Sequence, residues 1–181
     1  EGRFSEKPGR WILAEAKKRE DMEAELLDLR DYEMPFFKEA VSPSFKQEPY
    51  TDEAVARWTK KIGEADAFVI VAPEYNHGYT AVLKNALDYV YQEWNEKPVG
   101  FVTYGSAMGA RTVEQLREVA VELQMAPIRN AIHMPYDVII ASQEGKPDEE
   151  IFAPYTPRVG GFLDQLLWWG VALKTAREAG K

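Results

Sequence analysis

Two short apolar runs, each followed by a loop and then by a helical pattern, constrain the fold of this chain most strongly. Residues 67–72 read Ala-Phe-Val-Ile-Val-Ala and residues 99–104 read Val-Gly-Phe-Val-Thr-Tyr, and neither run contains a charged side chain. Runs of this kind form strands that are covered on both faces, as in parallel sheets. A third strand is predicted over residues 128–134. Strands that alternate with helices in this way predict a doubly wound α/β sandwich.

Helical patterns fill the stretches between and after these strands. Apolar residues recur at helical spacing after Thr51, a plausible N-cap, and again over residues 83–90 and residues 113–123. A final helix is predicted over about residues 156–178, with its apolar side chains toward the sheet. The core of the predicted sandwich therefore lies between the strands and helices of residues 51–178.

The first part of the chain is less regular. A helix is predicted from Pro8 to about Glu20 with Ser5 as its N-cap, and a short strand over residues 25–29. A sheet of this type normally places its first, central strand before the first helix. We therefore expect that this strand is missing from the sequence, together with the start of the loop that follows it.

A long segment without regular periodicity covers residues 31–50. A loop of this length usually serves as a lid, a binding loop or an interface, and the alternative is a surface loop held by its own aromatic side chains. The sequence leaves both interpretations open. The segment is interrupted by Pro35, Pro43 and Pro49, and it carries the aromatics Phe36, Phe37, Phe45 and Tyr50.

Composition limits the class of protein. A chain of 181 residues with 45% apolar and 29% charged residues is expected to form one domain over residues 1–181. Its formal charge of −8 argues against a nucleic-acid partner, since phosphate neutralisation needs clustered Lys and Arg. Cysteine is absent, and we find no apolar run of membrane-spanning length and no secretory leader. We therefore expect a cytoplasmic protein without a membrane partner.

Ligands of open parallel sheets bind outside the carboxyl ends of the strands. This rule selects residues 1–7, residues 73–79 and residues 105–111. In the first of these segments, Arg3 and Ser5 stand just before a helix, where free N–H groups, the helix dipole and a guanidinium can form a phosphate cradle. The alternative is that these polar residues only cap the helix.

The second segment, Pro-Glu-Tyr-Asn-His-Gly at residues 73–78, directly follows a buried strand. Its Pro, Asn and Gly suit an irregular backbone that turns polar groups outward. Tyr75 and His77 could flank a planar ring, although they could equally be an aromatic at the core edge and a solvated histidine. Glu74 has no clear acid or base partner, so we interpret it as an anchor of the loop.

The third segment, residues 105–111, is rich in small residues that let the backbone approach a flat ligand. Arg111 could contact a pyrophosphate or pair with a surface carboxylate. The other histidine, His133, lies in a strand pattern and is expected to pack rather than to bind a ligand. Two isolated histidines and no cysteine predict that there is no transition-metal site.

The segment at residues 73–78, followed by Leu-Lys-Asn-Ala-Leu-Asp at residues 83–88, resembles the NADPH-dependent FMN reductase family. Residues 104–117 resemble the family's glycine-rich segment and the helix after it, and residues 2–5 resemble the second half of its phosphate loop. The resemblance extends to about Pro135. It implies a flavodoxin-like fold, a five-stranded parallel sheet between two layers of helices.

The resemblance also implies which residues bind FMN. The FMN phosphate is implied to contact Arg3, Phe4 and Ser5. The isoalloxazine ring and ribityl chain are implied to lie along Pro73, Glu74, Tyr75, Asn76 and His77. The pyrimidine end is implied to contact Gly105, Ser106, Ala107 and Met108. Two departures from the family pattern bear on this site. The family's Gly-Ser-x-Arg stretch ahead of Gly2 is not in the sequence, and Ser106, Ala107 and Ala110 stand where many relatives have glycine.

The function implied is that of an FMN-dependent oxidoreductase, in which hydride passes from NADPH or NADH through bound FMN to a small acceptor. A quinone, an azo compound, free flavin and a metal oxyanion all suit such a site, and no side chain is expected to act as a catalytic acid or base. The alternatives are a flavodoxin-type electron carrier, which the −8 charge permits, and a flavin-binding protein without turnover.

Family resemblance further implies a homodimer or a dimer of dimers. Members usually dimerise through the helix after the 73–78 loop, which in this sequence carries Tyr89, Tyr91 and Trp94 beyond its core face. The alternative is that these aromatics cover loops of their own chain.

Overall fold

A three-stranded parallel sheet forms the centre of the molecule. The computed structural model describes residues 2–180. The strands, in their order across the sheet, are β1 (Phe68–Pro73), β2 (Pro98–Gly105) and β3 (Ala126–Pro135). Both neighbouring pairs are parallel. The three stretches predicted as strands, residues 67–72, 99–104 and 128–134, therefore form strands.

Helices connect the strands and cover both faces of the sheet. They are α1 (Glu6–Ala16), α2 (Glu53–Glu64), α3 (Ala81–Asp88), α4 (Ala110–Glu122), α5 (Asp137–Gln143), α6 (Asp148–Phe152) and α7 (Thr156–Glu178). The predicted bounds of the last helix are confirmed. Helix α2 begins one residue later than predicted, because Asp52 and not Thr51 is its N-cap and accepts hydrogen bonds from the N–H groups of Ala54 and Val55.

Two apolar cores lie on opposite faces of the sheet, and all eight residues of β2 are buried between them. One core contains residues of α2, α3 and α4, and the other contains residues of α1, α5, α6 and α7. Gly100 shows how closely the layers approach, since a Cβ at this position would lie 2.6 Å from the ring of Phe162 on α7. Burial on both faces explains why the strands have no polar alternation.

Helix α1 differs from its prediction at both ends. It begins at Glu6, and the Ser5 side chain makes no capping hydrogen bond. It ends at Ala16 and not near Glu20, because the next N–H groups bond to carbonyls three residues back, as in the bond from Arg19 N to Ala16 O. The Arg19 guanidinium then binds Asp21 and Asp164, which directs the chain away from the helix axis.

The strand predicted over residues 25–29 is wrong. Residues 22–28 join no ladder, and residues 29–31 form a 3-10 turn. Leu27 and Leu29 pack at the edge of a core, and Leu26 lies over α1, where its Cδ1 is 3.6 Å from a Cβ placed on Gly9. An extended segment becomes a strand only where a neighbouring strand pairs with it. Within residues 2–180 the sheet has three strands, so the predicted five strands are not confirmed.

The long segment over residues 31–50 is held to α3 and to the residues after it. The Asn85 side chain accepts a hydrogen bond from Phe37 N and donates one to Pro35 O, each at 2.8 Å. The Tyr50 hydroxyl donates to Tyr89 O at 2.7 Å. Phe36, in contrast, is 77% exposed. The segment is thus a surface loop that some of its own aromatic side chains hold in place.

The aromatics expected to form a dimer surface lie inside their own chain. Tyr89 and Trp94 are each only 2% exposed, and the partly buried Tyr91 accepts a hydrogen bond from Gln124. That part of the dimer prediction is wrong, because Tyr89 and Trp94 belong to the apolar core that also contains residues of α2, α3 and α4. Whether the chain dimerises by another surface stays a prediction. No helix within residues 2–180 has the length and apolarity needed to span a membrane.

Candidate functional site

The loop after β1 is a tight turn. Tyr75 and Gly78 exchange two backbone hydrogen bonds, of 2.9 and 3.0 Å. Asn76 and His77 between them have φ values of 50° and 69°, the sign required at both central residues of a type I′ turn. Asn and His adopt this left-handed conformation more readily than other side chains do. The turn therefore presents Asn76 and His77 outward, as the sequence pattern indicated.

Helix α4, which follows the neighbouring loop, holds this turn by side-chain hydrogen bonds. The Gln115 side chain donates a hydrogen bond to His77 O at 2.8 Å, and Thr112 Oγ1 donates to Pro73 O at 3.2 Å. A Cβ on Gly78 would lie 2.7 Å from Gln115 Oε1, so the close approach requires glycine or a displaced glutamine. The position of the turn thus depends on contacts that are distant in sequence.

Glu74 joins the two loops that follow β1 and β2. Its N–H donates to Tyr104 O at 2.8 Å, which extends the pairing of the two strands. Its carboxylate accepts a hydrogen bond from Arg111 N and pairs with Arg111 Nε, each at 3.3 Å. The Glu74 side chain is only 6% exposed. These contacts agree with the anchoring role predicted for Glu74, and they pair Arg111 with a buried carboxylate rather than with a surface one.

The loop after β2 is also held in an unusual backbone conformation. Met108 N donates to Gly105 O at 2.8 Å, and φ is 152° at Gly105, 57° at Met108 and 70° at Gly109. A Cβ on Gly105 would lie 3.0 Å from the Glu74 side chain, and one on Gly109 would lie 2.4 Å from the Thr103 side chain. Glycine at these two positions therefore lets the loop lie close against the sheet.

Unpaired donors and apolar groups lie side by side on these two loops. Within residues 2–180, the N–H groups of Asn76, His77, Ser106 and Ala107 donate to no protein acceptor. The neighbouring apolar side chains are exposed, Tyr75 by 64% and Met108 by 48%. Such a surface can bind a planar ligand by its apolar faces and by acceptor atoms at its edge.

Residues 3–5 reach the same edge of the sheet through Tyr104. The Phe4 ring packs edge-on against the Tyr104 ring, with centroids 4.9 Å apart. Burial raises the pKa of Tyr104 to about 12, against the opposing effect of a hydrogen bond with Ser5. Among the described residues, the N–H groups of Phe4, Ser5 and Glu6 at the start of α1 have no acceptor. This arrangement is open to an anion.

Arg3 is held by an ion pair with Asp28, which also binds Arg30. The Asp28 side chain is 13% exposed and accepts a hydrogen bond from Arg30 N at 2.9 Å. Burial raises the pKa of this carboxyl, but the hydrogen bonds from Arg30 and the charge of Arg3 outweigh burial and hold it below its usual range. Arg3 thus directly precedes the free N–H groups at the start of α1, and its guanidinium is held by Asp28.

The structure brings all three sequence-predicted segments to one edge of the sheet, and it adds residues that sequence reasoning missed. Thr103 and His133 contact the Met108 carbonyl, and Gln115 contacts that of His77. The one signal in the sequence for these residues was Thr103, a threonine within an apolar run. The other contacts form only when the chain folds. Within residues 2–180, no three His, Cys, Asp or Glu side chains are placed to hold a metal ion.

Comparisons with known proteins identify the family. A model of the NADPH-dependent FMN reductase family matches residues 1–137. An NAD(P)H-dependent FMN reductase of Schizosaccharomyces pombe is 39% identical over 132 residues, which cover 72% of this chain and 66% of that protein. One of Saccharomyces cerevisiae is 33% identical over 123 residues, which cover 65% and 64%. The chain therefore spans a little under two thirds of the length of these two relatives.

A solved structure supports the fold. The flavoenzyme NAD(P)H:(acceptor) oxidoreductase FerB from Paracoccus denitrificans superposes with a TM-score of 0.68 over 92% of this chain and 91% of its own, at 18% identity. At this identity the likeness shows the fold alone, a flavodoxin-like α/β sandwich. Given the family match over three quarters of its residues, the chain belongs to the NADPH-dependent FMN reductase family.

Proposed function

We propose that this chain binds FMN at the edge formed by residues 3–5, 73–78 and 105–109, and that it transfers hydride from NADH or NADPH to a small acceptor. The observation that carries the proposal is the pair of neighbouring loops whose backbone N–H groups have no protein acceptor within residues 2–180. Family membership supports a flavin as the ligand that these donors would bind.

The residues present suit the two ends of FMN. A phosphate suits the N–H groups of Phe4, Ser5 and Glu6 together with the Arg3 guanidinium, because a helix N-terminus favours an anion. A flat ring with acceptor atoms suits the loop at residues 105–109, which the glycines at its two ends hold close to the sheet. The donor set and the close backbone approach therefore fit the cofactor.

The chain supplies binding and electrostatics, and FMN when bound supplies the hydride chemistry. Donors that are fixed before the reaction stabilise negative charge without reorganising, so the N–H groups of Ser106 and Ala107 would stabilise negative charge on a bound flavin ring. Glu74 is not available as a proton donor, since Arg111 engages its carboxylate. We assign no side chain the role of catalytic acid or base.

A quinone is the acceptor we propose to test first. An NAD(P)H:quinone oxidoreductase of Solanum tuberosum is 32% identical over 108 residues of this chain. The exposed Tyr75 and Met108 side chains offer apolar surface on which a planar quinone can stack. Azo compounds, free flavin and metal oxyanions are the further acceptors that we propose to compare with it.

We also propose that the chain acts as a homodimer or a dimer of dimers in the cytoplasm. Exposed apolar side chains beside the site support an interface there: Val82 on α3 is 63% exposed, and Phe36 in the segment that Asn85 holds is 77% exposed. Exposed apolar side chains of this size would be covered if a second copy of the chain packed there. A monomer in sedimentation at micromolar concentration would exclude the assembly.

The enzymatic proposal is tested by following NADH and NADPH oxidation by the FMN-loaded protein with a quinone present. We expect turnover with at least one nucleotide, and we expect it to depend on added quinone under anaerobic conditions. Bound FMN with no oxidation of either nucleotide would overturn the enzymatic proposal and favour an electron carrier or a binding protein. Failure to bind FMN would overturn the site itself.

A further inference from the structure

His133 contacts the loop at residues 105–109 from the next strand. Its Nδ1 lies 3.2 Å from Met108 O and 3.3 Å from Thr103 Oγ1. Thr103 and His133 are direct partners in the pairing of β2 and β3, so their side chains rise from the same face of the sheet. Thr103 is fully buried and also donates to Met108 O, at 3.3 Å.

The direction of these hydrogen bonds depends on the tautomer of His133, and the contact of Nδ1 with Met108 O favours the tautomer that carries its proton on Nδ1. A carbonyl oxygen can only accept, so the contact from His133 Nδ1 to Met108 O requires a proton on Nδ1. The carbonyl has two lone pairs, one for His133 and one for the Thr103 hydroxyl. Both donors therefore converge on the same oxygen atom.

The residue that they hold is strained. Met108 has a φ of 57°, a left-handed conformation that is unfavourable for a side chain with a Cβ. Met108 also closes the turn that contains Ser106 and Ala107, since its N–H bonds to Gly105 O at 2.8 Å. Fixing the Met108 carbonyl thus fixes the direction of the N–H groups of Ser106 and Ala107.

We propose that His133 is a positioning residue for the flavin ring, acting through the Met108 carbonyl. The inference rests on the proposed function, since it takes the loop at residues 105–109 as a flavin-binding loop. His133 holds, through the Met108 carbonyl, the backbone whose N–H groups are proposed to contact the ring.

The test compares His133→Leu with His133→Asn. Leucine removes the donor, whereas asparagine places an amide N–H close to the position of Nδ1. Dissociation constants for FMN and for riboflavin are measured by quenching of flavin fluorescence, together with the absorption spectrum of the bound flavin and the melting temperature of the apoprotein. For His133→Leu we expect both affinities to fall roughly fivefold to tenfold, the loss of one hydrogen bond, with a shifted flavin spectrum.

His133→Asn is expected to restore both affinities and the spectrum to nearly their wild-type values. The ratio of the FMN and riboflavin affinities stays unchanged in both variants, because the phosphate end is not altered. His133→Ala carries the same expectation as His133→Leu and decides the question if the leucine variant does not fold.

Three outcomes would overturn the inference. Wild-type flavin affinity in His133→Leu, with or without a lower melting temperature, would show that His133 has no influence on the ring. Equal losses in the leucine and asparagine variants would show that the donor is not what matters. Absence of flavin binding by the wild-type chain would instead overturn the proposed function, and this inference with it.

Discussion

The ring end and the phosphate end of the proposed flavin site are held in different ways. At the ring end, neutral groups of neighbouring elements, Gln115 and Thr103 among them, fix the backbone of two loops by hydrogen bonds to carbonyl oxygens. At the phosphate end, ion pairs dominate, with Arg3 and Arg30 sharing the Asp28 carboxylate. The ring end therefore binds through neutral backbone groups that hydrogen bonds and the Glu74–Arg111 pair hold in place, whereas the phosphate end binds its ligand through charge, which salt screens.

FMN and riboflavin separate the two ends, because riboflavin has the same ring and no phosphate. Changes at the ring end should weaken both ligands equally, and changes at the phosphate end should weaken only FMN. Each prediction below uses this pair of ligands, in order of the expected effect.

Gly109→Ala is expected to have the largest effect. The new Cβ would lie 2.4 Å from the Thr103 side chain and 2.9 Å from Tyr104 N, a backbone atom of β2 that cannot easily move. The loop must shift instead, so we expect both flavin affinities to fall roughly a hundredfold. Fluorescence titration with both ligands measures the loss.

Gly145→Ala is the matched control for that change. Gly145 has a similar φ of 80°, but a Cβ there would meet nothing within 4 Å. It should lower the free energy of unfolding by about 1 kcal/mol through backbone strain alone and leave both flavin affinities unchanged. Equal flavin affinities in the two alanine variants would show that the close approach at Gly109 is unimportant.

Glu74→Ala should have the next largest effect. It leaves Arg111 without its partner and unties the two ring loops, so we expect the free energy of unfolding to fall by about 2 kcal/mol, since Arg111 is partly solvated. Both flavins should bind more weakly. Asp88→Ala breaks the exposed pair with Lys84 and should cost about 0.5 kcal/mol with no effect on flavin. Urea titration measures the free energy of unfolding of both variants. Similar losses in the two would argue against the anchoring role of Glu74.

Arg3→Gln tests the phosphate end. It removes a charge-assisted contact, so the affinity for FMN should fall roughly tenfold or more while that for riboflavin stays the same. Arg10→Gln, on the first turns of the same helix and paired with Glu6, should change neither affinity by more than about twofold. A parallel loss of riboflavin affinity in Arg3→Gln would contradict the separation of the two ends.

Lys97 lies outside both ends of the proposed flavin site, so Lys97→Met should leave flavin binding unchanged. Lys97 Nζ donates to Ile62 O and Gly63 O, and burial, together with Arg177, lowers its pKa to about 8. Above pH 8 the folded chain has lost a proton that the unfolded chain keeps up to about pH 10. The stability of the wild type relative to Lys97→Met should therefore rise between about pH 8 and pH 10, on the order of 2 kcal/mol.

Melting temperatures of the two proteins across this range check the sign of the change. A wild type that loses stability relative to Lys97→Met as the pH rises would show that the folded chain does not release this proton early.

Much of the fold could be predicted from the sequence because burial on both faces leaves a local signal. The runs at residues 67–72 and 99–104 lack polar alternation, and α7 follows helical periodicity over its whole length. Residues 25–29 have the same local appearance as a short strand, but pairing depends on a neighbour that no local pattern reveals. The early end of α1 likewise depends on Asp164, far along the chain.

The candidate site could likewise be predicted only in part. The loops themselves could be predicted, since each follows a buried strand and contains residues that tolerate unusual backbone, such as Asn76 and Gly109. The residues that hold them could not, because Gln115 and His133 gain their roles only when α4 and β3 pack beside the loops. His133 was expected to pack, and no periodicity in its strand indicates the contact with Met108.

Titration of the purified chain with FMN and with riboflavin, at low and at high salt, tests the assignment of the site most directly. We expect both ligands to saturate at one molecule per chain, with FMN bound more tightly and only FMN weakened by salt. Absence of saturable binding would contradict a flavin site at these loops. Equal affinities with the same salt dependence would contradict a phosphate end at residues 3–5.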